Sequence, residues 1–177
     1  MRVGVYGGSF DPPHVGHAMV CGWLLWTGRV DEVLLVPTFS HAFDKQLRPF
    51  EERVRLCAAL AADVGPRIGV DAIEASLPTP SFTLRTLRAL AARRPEATLH
   101  LVVGADVLQQ AGHWHRWEEV QRAFAPIVVG REGFPPVEGA PTFPGFSSTE
   151  VRRRLAEGAP VDHLLTAGVL ALLRAAG

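Results

Sequence analysis

Lysine is almost missing from this chain: of eighteen basic residues seventeen are arginine, and Lys45 is the only lysine. A Gly-Lys-Ser/Thr phosphate loop is excluded, because Lys45 follows Asp44. Schiff-base chemistry would rest on that one loop residue. Cysteine is nearly as scarce. Cys21 and Cys57 lack Cys-x-x-Cys spacing and stand among apolar neighbours, which marks them as buried structural thiols. An excess of one charge is also lacking. Eighteen acidic residues balance the eighteen basic ones, so nothing global draws the chain to nucleic acid or an anionic membrane, and any anion site is local. The strongest apolar stretch, Leu164 to Leu173, is about half the ~20 residues of a membrane span. Val3 to Tyr6 is too short for the apolar core of a secretory signal. A cytoplasmic protein without membrane or nucleic-acid partners is expected. Gly-x-Gly-x-x-Gly and Gly-x-Ser-x-Gly are absent too, which removes the usual dinucleotide and nucleophilic-serine readings.

What is present is a globular composition, 47% hydrophobic and 20% charged over 177 residues. That length predicts a single domain, 1–177, including a C-terminal helical segment at about 147–176. Short apolar runs alternate with longer amphipathic stretches, the order of an α/β fold with an open, mostly parallel sheet of five to six strands and helices on both faces. The strand candidates are Val3–Tyr6, Val33–Val36, Ile68–Ile73, Leu99–Val103 and Ile127–Val129. Phe50, Val54, Cys57, Leu60 and Val64 recur at helical spacing and stop at Gly65 and Pro66. Leu84, Leu87 and Leu90 give a second helical stripe, and Val161, Leu165, Val169 and Leu172 a last one. The proline-rich stretch from Pro135 to Pro144 is the least structured. It precedes Ser147-Ser148-Thr149-Glu150, which reads as a capping box opening a short helix that buries Val151 and Leu155 and ends at Gly158.

In such a sheet, ligands bind beyond the carboxyl ends of the strands, and the unusual polar residues fall there. Strand one runs into Gly7-Gly8-Ser9-Phe10-Asp11-Pro12-Pro13-His14-Val15-Gly16-His17. Two glycines after a strand admit a ligand close to the backbone, and the following helix points free N–H groups at an anion. His14 and His17, one turn apart, can face that anion together. Read as metal ligands they lack a third partner nearby in sequence. Strand four runs into Gly104-Ala105-Asp106 and then His113-Trp114-His115. Asp106 caps the next helix or meets a ligand, and His113 and His115 are exposed loop residues or zinc ligands. Ser147 to Arg152 is either a capped surface helix or a second phosphate clamp, with hydroxyls and N–H groups beside a guanidinium fork.

Gly7 to His17 resembles the Gly-x-Phe-Asp-Pro-x-His-x-Gly-His signature of the nucleotidylyl transferase superfamily, and Ser147-Ser148-Thr149-x-x-Arg152 resembles its carboxy-terminal motif. Ser81-Phe82-Thr83-Leu84-Arg85-Thr86-Leu87, Gly104-Ala105-Asp106 and Trp114 are similar to segments of the bacterial nicotinate-nucleotide adenylyltransferases. The resemblance spans nearly the whole chain and implies a Rossmann-like nucleotidylyl transferase fold. It implies transfer of AMP from ATP to nicotinate mononucleotide, with Mg2+ bound mainly through the ATP phosphates. His14 and His17 then hold and stabilise those phosphates. Gly7, Gly8, Ser9, Phe10 and Gly16 complete the ATP loop, Gly104 and Asp106 meet the adenylate ribose, and Ser148, Thr149 and Arg152 the outer phosphates. Trp114 stacks on the nicotinate ring, while N–H groups at Thr83 and His115 receive its carboxylate.

The chain departs from that pattern in places. After strand two it has Ser40-His41-Ala42-Phe43-Asp44-Lys45 where the family often has Pro-Pro-His-Lys, so His41 and Lys45 are separated by three residues, a departure from the pattern by which the resemblance implies that Lys45 meets the mononucleotide. Arg131-Glu132-Gly133 replaces Arg-Pro-Gly, and Phe82 replaces a tyrosine. Nicotinamide mononucleotide and phosphopantetheine are the rival acceptors, and a nucleotide-binding sensor without turnover is the rival from another class. The mononucleotide phosphate would itself attack in line, so catalysis reduces to positioning and charge neutralisation.

Overall fold

The computed structural model describes residues 1–40, 47–109 and 114–176. Five of the short apolar runs pair into one parallel sheet that a sixth strand extends. β1 (Arg2–Gly8) is central, with β2 (Glu32–Pro37) and β3 (Ile68–Val70) on one side. On the other lie β4 (Thr98–Gly104), β5 (Ile127–Arg131) and β6 (Thr142–Phe143), giving the order β3-β2-β1-β4-β5-β6. Val5 stands opposite Leu34 on β2 and Leu101 on β4. Parallel strands need cover on both faces, and alternation along each strand supplies two cores. Val33, Leu35 and Val102 meet α1 (Val15–Trp26), α2 (Phe50–Val64), α6 (Ser148–Ala156) and α7 (Ala167–Ala176). Leu34, Val36, Leu101 and Val103 meet a 3-10 turn, Ile73–Ser76, together with α3 (Thr83–Arg93) and α5 (Trp117–Phe124). Cys21 and Cys57 are both fully buried in the first core.

Several boundaries differ from those the sequence suggests. The third strand ends at Val70 rather than Ile73, because the Asp71 carboxylate accepts the Ile73 N–H at 2.8 Å and starts the 3-10 turn. The buried face of α2 is Arg53, Leu56, Cys57, Leu60 and Ala61. Cys57 and Leu60 are buried as expected and Val64 packs against the core, whereas Phe50 and Val54 are only part-buried and an arginine takes the buried place at the head of the helix. Val161 and Leu165 are buried but precede α7, which begins only at Ala167, and Leu172 is 41% exposed. Ser147 caps α6 by accepting the Glu150 N–H at 3.1 Å. The Glu150 carboxylate turns instead to Arg153 and Arg154, so only half of the expected capping box forms. Within the proline-rich stretch Thr142–Phe143 pairs with β5, and this needs Gly130: a Cβ there would lie 2.6 Å from the Pro141 carbonyl oxygen.

The order of the sheet reverses between β1 and β4, which opens a crevice at their carboxyl ends. The assigned faces are open to test. Leu60→Ala is expected to cost about 2 to 5 kcal/mol in urea unfolding, while Leu172→Ala costs about 0.5 kcal/mol or less. Equal costs would show that the helix faces are misassigned.

Candidate active site

A cleft of about 500 Å³ occupies that crevice. The first loop lines it with Gly7, Gly8, Ser9, His14, Gly16 and His17, and α3 lines it with Phe82, Thr83 and Thr86. Gly104 and Asp106 enter from β4 and the short α4 (Ala105–Leu108), followed by Trp114 and His115, with Arg131 and Phe146 closing the far side. One cleft therefore gathers residues that follow β1, β3 and β4. From the loop after β2, Thr38 lines the wall, while His41 and Lys45 lie outside the described residues, as does His113.

His14 occupies the N-cap of α1 and His17 its third position. The His14 backbone N–H donates to His17 Nδ1 at 3.1 Å, which puts the proton of a neutral His17 on Nε2. The two imidazole centroids are 3.8 Å apart with the rings tilted by 32°. Phe10, 1% exposed, supports His17 from below at 4.9 Å, and Tyr6 flanks it at 5.7 Å. The Phe10 side chain therefore belongs to the core and contributes to an ATP loop only through its backbone. Its left-handed φ of 47° costs on the order of 1 to 3 kcal/mol, strain that the buried ring holds in place. Two glycines make this packing possible. A Cβ on Gly8 would meet the Phe10 ring at 3.3 Å, and one on Gly16 would meet the His14 ring at 3.0 Å. The Val15 N–H already donates to the Leu164 carbonyl at 2.9 Å, so an anion at this helix end meets Gly16 and the imidazoles. Burial, and then Arg131, pushes His14 down to about 4. His17 is lowered well below its ordinary value by burial, then by His14 and Arg131. Both imidazoles are neutral at pH 7.

Around the loop, arginines are seated on carbonyl oxygens and carboxylates. Asp11 is 2% exposed and accepts from Arg48 Nη1 at 2.9 Å. Arg152 Nη1 donates to the Asp11 carbonyl at 2.6 Å, and its Nη2 reaches Thr149 Oγ1 at 3.3 Å. Ser148 Oγ donates to the Pro12 carbonyl at 2.9 Å. The carboxy-terminal motif is thus docked on the first loop, with Thr149 exposed beside it. Arg53 is buried, where it donates to the carbonyls of Ser9 at 2.8 Å and Arg48 at 3.0 Å. Asp106 makes no side-chain cap to α4. It pairs instead with Arg131 at 2.6 Å, and Arg131 also donates to the Phe146 carbonyl at 2.9 Å.

At the other end of the cleft Phe82 is the N-cap of α3 and Thr83 its first residue. The Phe82 ring lies 4.8 Å from that of His115, tilted by 31°. Trp114 lines the cleft and also packs on the second core, edge-on to Trp117 at 5.6 Å. Both readings of a tryptophan here, ring stacker and core residue, fit its two faces. Beneath α3, the Glu74 carboxylate accepts from Thr86 Oγ1 and from the Phe39 N–H, each at 2.9 Å. Among the described residues no group of three or more His, Cys, Asp or Glu is arranged to hold a metal ion, and no helix is long and apolar enough to cross a membrane.

Asp11, Arg48, Arg53 and Glu74 escape sequence reasoning as site residues. For Arg53 a signal exists: it stands on the apolar face of α2, where a charge needs a buried partner. Asp11 stands inside the Gly7 to His17 signature, but its pairing with Arg48 is not visible there, and Glu74 shows no local pattern because its partners Phe39 and Thr86 lie on other elements.

The lowered imidazoles make stability depend on pH. Between pH 6.5 and about 4 the unfolded chain binds protons that the folded site refuses, so stability is complete above 6.5 and falls as pH drops through that window. Urea titrations should show the decline in the wild type and a smaller one in His14→Gln; equal declines would remove His14 as the source.

Comparison with known proteins gives the same architecture and motifs a family. The cytidylyltransferase-like family model matches residues 5–154. A protein of Anaeromyxobacter sp. (strain K), named "Probable nicotinate-nucleotide adenylyltransferase", is 48% identical over 172 residues, 96% of this chain and 91% of its own length. A protein of the same name from Myxococcus xanthus is 38% identical over 181 residues, covering 100% of this chain and 94% of its own. Among solved structures, the nicotinic acid mononucleotide adenylyltransferase of Plasmodium falciparum complexed with NaAD superposes with a TM-score of 0.79. It is 19% identical, covers 99% of this chain and 95% of its own, and bears on the fold alone. The chain belongs to the cytidylyltransferase-like family and, within it, to the nicotinate-nucleotide adenylyltransferases.

Proposed function

We propose that this chain, acting as a single domain in the cytoplasm, transfers AMP from ATP to nicotinate mononucleotide in NAD biosynthesis. The mononucleotide phosphate attacks the α-phosphorus, the bond to the β-phosphate oxygen breaks, and deamido-NAD and pyrophosphate result. The observation that carries this reading is the stacked, neutral pair His14 and His17 at the head of α1, in one cleft with Thr83 and Trp114.

The Nε2–H of His17 serves as a preorganised donor to charge developing on the α-phosphate, and His14 packs beside it. Gly7, Gly8, Ser9 and Gly16 let the triphosphate lie close to the backbone. Ser148, Thr149 and Arg152 hold its outer phosphates, while Gly104 and Asp106 hold the adenylate ribose. Magnesium enters with the substrate as magnesium-ATP. Trp114 supplies a face for the pyridine ring, and the N–H groups of Thr83 and His115 receive its carboxylate. Lys45 is assigned to the mononucleotide phosphate by resemblance alone.

The purified chain, given magnesium-ATP with nicotinate or nicotinamide mononucleotide, should release pyrophosphate with a strong preference for nicotinate. Equal use of both withdraws the carboxylate assignment, and ATP binding without turnover on any acceptor, phosphopantetheine included, supports the sensor instead. His17→Ala should lower the chemical rate about 10²-fold or more, and a loss under about tenfold would remove His17 from the proposed role. Trp114→Ala should weaken pyridine-nucleotide binding by roughly 1 to 3 kcal/mol in calorimetry. Unchanged affinity with a lowered melting temperature would leave Trp114 as a core residue only.

A further inference from the structure

We propose that Glu74 is a positioning residue that holds the head of α3 against the loop after β2 and so fixes the placement of Phe82 and Thr83 in the acceptor half of the cleft. The inference rests on the adenylyl-transfer reading above and extends it to a residue outside both signature motifs. Glu74 lies in the 3-10 turn after β3, is 7% exposed and contributes to the cleft wall. One carboxylate oxygen accepts from Thr86 Oγ1 on the first turns of α3, and the other from the Phe39 N–H in the loop after β2. The two donors belong to different segments, and these also touch directly, where Ser40 N–H donates to Ser81 Oγ at 3.3 Å and Ser81 N–H to the Ser40 carbonyl at 3.2 Å. Glu74 thus ties the loop after β2 to the segment that presents Phe82 and Thr83.

A buried carboxylate is costly unless hydrogen bonds satisfy it; the Glu74 carboxylate has these two donors, and the buried Arg53 guanidinium feels its charge. Its two oxygens can accept from two donors at once. A methionine keeps the length but has no oxygen, so both segments lose their acceptor, whereas a glutamine keeps both by accepting from the Phe39 N–H and donating its NH2 to the Thr86 hydroxyl, whose proton then turns to the Phe82 carbonyl at 3.3 Å. The consequence passes through α3. Release of Thr86 frees the first turn of the helix, and with it the Thr83 N–H and the Phe82 ring that lies against His115. These groups face the acceptor, whereas the imidazole pair and the Arg152 segment are held by other contacts. Glu74 therefore acts on acceptor binding and leaves the ATP half unaltered.

Glu74→Met, Glu74→Gln, Thr86→Val and Thr86→Ser test this in the full chain. In Glu74→Met the KM for nicotinate mononucleotide should rise about tenfold or more, with kcat and the KM for ATP within about threefold of wild type. Thr86→Val should shift in the same direction, whereas Glu74→Gln and Thr86→Ser, which keep both hydrogen bonds, should stay near the wild-type value. Without substrates, amide exchange at Phe39 and Ser40 should speed up in Glu74→Met and stay slow in wild type. A lowered melting temperature with unchanged kinetic constants would overturn the proposal, as would a parallel rise in both KM values. A wild-type chain that releases no pyrophosphate with nicotinate mononucleotide would overturn the acceptor reading and this inference together. An active wild type with an unaltered Glu74→Met would overturn this inference alone.

Discussion

Three hydrogen bonds that each span more than 130 residues hold the first loop in place. Ser148 donates to the Pro12 carbonyl, Arg152 to the Asp11 carbonyl, and the Val15 N–H to the Leu164 carbonyl. The need for them is written into the loop. Pro12 and Pro13 have no N–H and cannot join a ladder, yet the loop is buried and its carbonyls require donors. Those donors come from α6, which is why the carboxy-terminal motif sits where phosphates can be met from two sides. The imidazole pair, the left-handed Phe10 and the ring contacts beneath them all depend on this closure.

The electrostatics of the cleft follow from how its arginines are seated. Arg53 grips the carbonyls of Ser9 and Arg48, Arg131 grips Asp106 and the Phe146 carbonyl, and Arg152 grips the Asp11 carbonyl and Thr149. Each guanidinium spreads its donors over two partners in a fixed fork, which a lysine ammonium cannot reproduce with the same geometry. Positive charge is thereby fixed around the two imidazoles before any nucleotide arrives. After burial, the charge of Arg131 contributes to keeping them neutral, so they present oriented dipoles rather than cations to the cleft. Such a site neutralises developing charge with groups that are already aligned.

Much of the fold was legible because strand composition is a local property. All five proposed strands lie within the observed sheet, and only the end of β3 was misplaced, where one Asp71 side chain diverts the backbone. The sixth strand was not legible, since two residues carry no period. In the first turns of α2, Phe50 and Val54 look like core, while the residue actually buried is Arg53, whose partners are carbonyls that no pattern announces. In the site, residues in contiguous motifs could be named from sequence. Asp106 was left between cap and ligand, and its pairing with Arg131 depends on β5 lying beside β4. Glu74, and the Arg48 partner of Asp11, are chosen by three-dimensional neighbours, and a single sequence does not display those.

The closure by α6 also orders events in time. A chain emerging from the ribosome amino-terminus first exposes β1 and the phosphate loop long before residues 148–164 exist to satisfy their carbonyls. The sheet around β1 cannot complete either until β4 has been made. The nascent polypeptide therefore carries its nucleotide-binding signature in an unformed state through most of translation. Competence for the ligand arises late, and nearly all at once, when the carboxy-terminal helices dock.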